Sequence, residues 1–83
     1  MGKYDSLYNY LSKRTDTRIT LSFKEIESLI GDNLPESARK YSAWWGNSNT
    51  KDHPHSRSWL DANYKTVDVI SGIANQCMVF ERS

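Results

Sequence analysis

The stretch SARKYSAWWGNSNTKDHPHSRSWLDANY, residues 37–64, gathers most of the side chains in this sequence that have chemistry to offer. It holds all three tryptophans, both histidines and four of the eleven basic residues. Arg39, Lys40, Lys51 and Arg57 are of the types that neutralise phosphates, and Arg and Lys also match the acceptors of guanine. Asn47 matches adenine. His53 and His55, two apart, suit a metal ion, but there is no further histidine, and Asp52 and Asp61 add only weak oxygen ligands. Ser56 or Ser58 with His55 and Asp61 has the composition of a catalytic triad without its context. No G-x-S-x-G elbow is present, and the four glycines are scattered rather than gathered into a phosphate-cradling loop. Asp5, Asp16, Glu25 and Glu27 read as helix-start and surface carboxylates, not as a catalytic pair. Neither an enzyme, a metal nor a cofactor is expected, which leaves binding.

The elements that must position these residues follow from spacing. Tyr4, Leu7, Tyr8 and Leu11 recur at helical intervals, predicting an amphipathic helix over 4–13. RITL, at 18–21, is short and β-branched, and suits a strand. Ser22 and Glu25 have the spacing of a capping box at the start of a second helix. Phe23, Ile26, Leu29 and Ile30 form its apolar side, and Gly31 suits its left-handed end. Pro35 belongs in the first turn of a third helix, predicted to run to about Trp45. Residues 46–52 read as a polar loop, and Pro54 opens a short helix around HSRSWLDA. YKTVDVI and QCMVFER have strand character, and SGIAN between them reads as the turn of a hairpin.

Projected as one helix at about 100° per residue, residues 36–47 divide into two faces. Ala38, Tyr41 and Trp45 face the core, whereas Arg39, Lys40, Ala43 and Asn47 face outward. Trp44 falls on the border beside Lys40, half exposed. Small Ala43 allows the outer face a close approach to a groove. Trp59, beside Leu60, is expected in the core. The element order is that of a winged helix-turn-helix in which the first strand joins the hairpin and the hairpin loop forms the wing. An inserted loop and short helix, about 46–63, interrupt that order. The fold expected is therefore α+β and winged-helix-like, one domain over 1–83.

Composition is consistent with this. Ten aromatics in 83 residues supply a compact core despite the negative mean hydropathy. A near-even balance of 11 basic and 10 acidic residues excludes a polycationic packaging protein and leaves room only for a local basic face. One cysteine, Cys77 in the apolar run CMVF, excludes an internal disulfide framework and reads as a small buried hydrophobe. No apolar run reaches the roughly 20 residues of a membrane span, and no signal peptide is evident, so a cytoplasmic protein is expected.

The motifs L-S-F-K-E-I-E, L-P-E-S-A-R, W-W-G-N, H-P-H-S-R-S-W-L and the terminal CMVFER resemble those of a family of small bacterial and phage domains. That family reads K-Y-x-P-L at its start, then L-[ST]-F-x-E-I-E, L-P-x-S-A-R, W-W-x-N, H-P-x-x-x-x-W-L and a terminal V-x-F-x-R. The resemblance extends from Lys3 to Arg82. Ser6 stands at the position of the first motif's proline, which touches only the start of the first helix. Arg39, Trp44, Trp45, Asn47, His53, Pro54, Trp59 and Leu60 match the motifs. The resemblance implies stand-alone proteins, or modules beside nuclease-like domains, without a defined activity.

Two functions are expected from these observations. In the first, the chain is a small nucleic-acid-binding module for duplex DNA, regulatory or accessory to a phage or mobile element. Its contacts are Arg39, Lys40, Ala43, Trp44, Asn47, Lys51 and Arg57. In the second, it is a protein-interaction module, such as an inhibitor or adaptor of a nucleic-acid-processing enzyme, with Trp44 and Tyr64 as anchors.

Overall fold

A computed structural model describes residues 4–47 and 54–83. Helix α1 (Asp5–Ser12) leads to strand β1 (Arg18–Ser22), helix α2 (Phe23–Ile30) and the one-turn helix α3 (Glu36–Lys40). A 3₁₀ turn, Ser42–Trp45, follows. Beyond residue 53 come a second 3₁₀ turn (Pro54–Ser56), helix α4 (Arg57–Leu60), strand β2 (Tyr64–Val67), helix α5 (Val69–Asn75) and strand β3 (Cys77–Arg82). The strands form one antiparallel sheet in the order β1-β3-β2. The fold is α+β, with β1 completing a sheet around the C-terminal strand pair, an arrangement compatible with a winged helix.

Local chemistry sets several boundaries where expected. Ser22 Oγ accepts from the Glu25 amide at 3.0 Å, and Glu25 Oε1 accepts from the Ser22 amide at 3.0 Å, closing the capping box. Gly31, at φ 72°, ends α2 in the left-handed region. Leu7 and Leu11 of α1, Ile19 and Leu21 of β1, and Phe23, Ile26 and Ile30 of α2 are buried together. Tyr8, assigned to the same apolar face, lies on its rim at 38% exposure. A succession of rings crosses the core. Phe23 stacks on Trp45 with centroids 5.6 Å apart, Trp45 on Trp59 at 5.7 Å, and Trp59 meets Phe80 at 5.8 Å. Rings of this size contribute most of the area that so small a domain can bury.

Two expectations fail. The third helix does not reach Trp45, because Tyr41 is extended (φ −114°, ψ 121°) and the chain turns there. The reason is visible in one bond: the Trp45 indole Nε1–H donates to the Ala38 carbonyl at 2.7 Å. In a continuous helix these residues would be separated by roughly 10 Å along the axis. Turning at Tyr41 brings the indole back under α3, where it satisfies one of that helix's terminal carbonyls.

The second failure is the hairpin turn. Val69–Asn75 forms α5, so a helix stands where a wing loop was expected. Val69, Gly72 and Ile73 have helical spacing and face inward, a period hidden by the β-branched run before it. Asp68 (φ 51°) and Gln76 (φ 55°) bracket α5 in the left-handed region, reversing the chain at each end. α5 then packs back on β3, and a Cβ at Gly72 would lie 2.5 Å from the Cys77 carbonyl oxygen. Gly72→Ala should therefore lower stability by about 1–3 kcal/mol, the range of overpacking. Thermal denaturation measures this, and a neutral Gly72→Ala would mean that α5 does not pack against β3.

Candidate functional site

The outward face expected for residues 36–47 is dismantled by the turn at Tyr41. Arg39 remains on α3, but its guanidinium forms an ion pair with Glu27 and lies 5.7 Å from the centroid of the Phe23 ring. Glu27 also accepts from the Leu34 amide at 2.7 Å. That amide first, and Arg39 second, hold the Glu27 carboxyl below the usual glutamate range against the opposing effect of burial. Lys40 pairs with Glu36 one turn earlier on α3, at 2.7 Å. Ala43 is exposed on the 3₁₀ turn. Tyr41, expected in the core, is 63% exposed.

Asn47 is committed within the protein. Its Oδ1 accepts from the Thr66 amide at 2.9 Å and from Trp59 Nε1–H at 3.1 Å, and its Nδ2 donates to the Thr66 carbonyl at 3.0 Å. The Thr66 hydroxyl lies within hydrogen-bond distance of both Asn47 Oδ1 (3.1 Å) and the Trp45 carbonyl (2.6 Å). The carboxamide thus binds both backbone groups of Thr66, as a neighbouring strand would. The amide edge expected to pair with adenine is the one engaged by Thr66.

Trp44 is half-buried, as its border position implied, but its ring is engaged. His55 stacks on it with centroids 3.8 Å apart and planes 7° from parallel, and His55 Nε2 lies 2.7 Å from the Trp44 carbonyl. Tyr4 closes on the same pair at 6.0 and 5.9 Å. Ser58 donates to the His55 carbonyl at 2.7 Å, turning its hydroxyl to backbone rather than to an imidazole. Trp59 is fully buried, as expected. Tyr64 is fully buried too, with its hydroxyl on the Asp16 carbonyl at 2.7 Å, so it is a core residue and not an interface anchor. Cys77 is half-buried.

Arg57 is exposed on α4 and lies 3.6 Å from Asp61. It lines a groove between α1 and α4 with Tyr4 and Tyr8, whereas Arg39 lines another beside Ser22, Lys24 and Gln76. Lys51, His53 and Asp52 lie outside the described residues. Among the described residues, the predicted contacts Arg39 and Arg57 therefore line different grooves. Arg39, Lys40 and Arg57 each sit beside a carboxylate, and the Asn47 carboxamide is bonded to Thr66 and Trp59. Among the described residues no cluster of three or more histidine, cysteine or acidic side chains is placed to hold a metal. No helix among them is long and apolar enough to cross a membrane.

What the sequence reading missed lies elsewhere on the surface. Ile70 on α5 is 79% exposed, and α5 packs against both α3 and the 3₁₀ turn that flank Tyr41. The signal for Ile70 was its position opposite the buried Gly72, legible only once the segment is known to be helical. Register also gathers cations at one end of the sheet. Arg18 and Lys65 flank Glu81 across the three strands, and Arg82 Nη1 donates to the Arg14 carbonyl at 3.2 Å.

The adjacent tryptophans should separate experimentally. Trp45→Ala removes a fully buried ring and should cost about 3–5 kcal/mol, whereas Trp44→Ala should cost clearly less. Chemical denaturation of both variants checks this. Acid should weaken the fold partly through Glu27. Its folded value is depressed, so its stabilisation is complete above the ordinary 4.5 and is lost as pH falls through the lowered value. Glu27→Gln should accordingly be less stable than the native protein at neutral pH and show a smaller loss on acidification, as read by denaturation at successive pH values.

Neither curated proteins nor solved structures give a match to this chain. A family described as a domain of unknown function matches residues 4–83, close to the whole of it. The chain belongs to that family, DUF7662.

Proposed function

We propose that this domain is a protein-interaction module built on a winged-helix-like frame and acting in the cytoplasm of a bacterium or a phage-infected cell. One observation carries the reading: Tyr41 and Ile70, two large apolar side chains, are 63% and 79% exposed on segments that pack against one another. Exposed apolar groups scattered singly are ordinary, but neighbouring ones mark contact surfaces, and tyrosine is among the residues that carry most energy at interfaces. The ion pairs of Arg39 and Lys40 support the same reading, since each places a compensating negative charge where a phosphate contact would need free positive charge. An adaptor or inhibitor of a nucleic-acid-processing enzyme fits this role.

Duplex DNA binding is the second reading. It is favoured by the winged-helix-like topology and by Lys65 and Arg82 at one end of the sheet, where Arg14 and Arg18 are themselves paired with Asp16 and Glu81. The contact face is then that sheet end, not the Arg39–Asn47 segment.

A single set of variants decides between them. The immobilised protein should retain a partner from bacterial lysate that the Tyr41→Ala/Ile70→Ser double variant loses by about tenfold or more, the scale of interface hot spots. Arg39→Glu/Lys40→Glu should retain it. Fluorescence anisotropy with a generic duplex at low salt should show no binding. Binding that weakens steeply with added salt, and is lost in Lys65→Glu/Arg82→Glu, would select the second reading instead.

A further inference from the structure

The two edges of the sheet are finished differently. Hydrogen bonds from the Arg82 amide to the Thr17 carbonyl (2.8 Å) and from the Phe23 amide to the Gln76 carbonyl (2.9 Å) fix the phase of the β1–β3 ladder. In an antiparallel pair the bonding residues alternate, so Ile19 and Leu21 turn their backbone groups to β3. Arg18, Thr20 and Ser22 turn theirs outward. The Ser22 amide is taken by Glu25. Those of Arg18 and Thr20 have no partner among the described residues. On the opposite edge the outward groups of Thr66 are both occupied by the Asn47 carboxamide. The β2 edge is thus capped at Thr66 by a side chain that imitates a strand, whereas β1 has no such cap at Arg18 or Thr20.

The β1 edge adjoins a pocket. Tyr10 of α1, Leu21 of β1, and Glu25, Ser28 and Leu29 of α2 enclose about 270 Å³. No residue of β2 or β3 lines it, so it opens on the β1 side of the sheet. Its walls are mainly apolar, and its one charged residue, Glu25, makes no ion pair among the described residues. The Arg18 side chain does not cover the edge, because its guanidinium is drawn across β3 to Glu81 at 2.7 Å.

We infer that the outer edge of β1 is a strand-capture site for an extended segment of a partner protein carrying an apolar anchor residue with a Lys or Arg two positions away. Backbone groups of Arg18 and Thr20 pair with the incoming strand. Side chains of such a strand alternate between the two sheet faces, and the anchor is the one that enters the pocket over Leu21. The cation two positions along shares the anchor's face and meets Glu25. Strand addition of this kind divides the work: main-chain bonds supply affinity, and the pocket supplies selectivity. This site is independent of Tyr41 and Ile70 and does not rest on the proposal made for them.

The test selects a phage-displayed library of random heptapeptides on the folded full chain, with Thr20→Pro as counter-selection. Proline there removes an outward N–H and is tolerated on an edge strand. Expected is enrichment of peptides with Lys or Arg two positions from an apolar residue. The synthesised consensus peptide should lose tenfold or more in affinity when N-methylated at residues of one parity, and little at the other. Leu29→Arg, checked for native circular dichroism, should lose binding similarly, while Tyr41→Ala/Ile70→Ser should keep it. Absence of enrichment, or binding indifferent to the parity of N-methylation, would overturn the assignment. So would sedimentation showing a native dimer that Thr20→Pro dissolves, since the edge would then belong to a second copy of the chain.

Discussion

The structure turns on the burial of Trp45. An indole removed from water has one N–H that must find an acceptor, and here the acceptor is the Ala38 carbonyl, seven residues back. That bond and the stacking of Trp45 between Phe23 and Trp59 require the chain to reverse direction just after α3. The rest of the arrangement follows. α3 is reduced to one turn, Tyr41 is pushed outward, Trp44 lands beside His55, and Asn47 arrives at the edge of β2. The sequence 38–47 therefore acts as a fastener joining α3 to β2, and the polar groups it carries are consumed in the joining.

This explains why some of the fold was legible in the sequence and some was not. The capping box at Ser22 and Glu25, the left-handed Gly31, β1, β3 and the burial of Trp45 and Trp59 all depend on local spacing or on the type of a single residue. The break at Tyr41 depends on a bond between Ala38 and Trp45 that no local propensity announces. α5 was hidden for a related reason: Val67, Val69 and Ile70 have strand propensity, but left-handed Asp68 ends the strand, and the contact of Gly72 with β3 then favours a helix. Sidedness was the weakest inference, because a helical projection is valid only while the helix continues. Once the break is known, the assignments of Tyr41, Ala43 and Asn47 can no longer come from one wheel.

The candidate site shows the same limit at the level of chemistry. Arg, Lys, Asn and Trp crowded together have the vocabulary of nucleic-acid recognition, yet each type also has an internal use. The Arg39 guanidinium joins α3 to α2 through Glu27, and the Asn47 amide substitutes for a missing fourth strand. Capping an edge residue in this way guards against pairing with another chain at that point. Residue type tells what a side chain can bind; only the partners tell whether that capacity has been spent.

Features that folding does not require are then the more informative ones. Ile70 contributes little to a core from which it is 79% exposed, and a polar residue there would serve α5 equally well. Tyr41 had to leave the core, but nothing in the turn demands an aromatic ring at that point, since its backbone is plainly extended. The β1 edge at Arg18 and Thr20 lacks the side-chain amide that caps the β2 edge at Thr66. Stability accounts for Trp45, Asn47, Tyr64 and Arg39 through named contacts. It leaves Tyr41, Ile70 and the β1 edge unaccounted for, and these are the features on which the two proposed contacts rest.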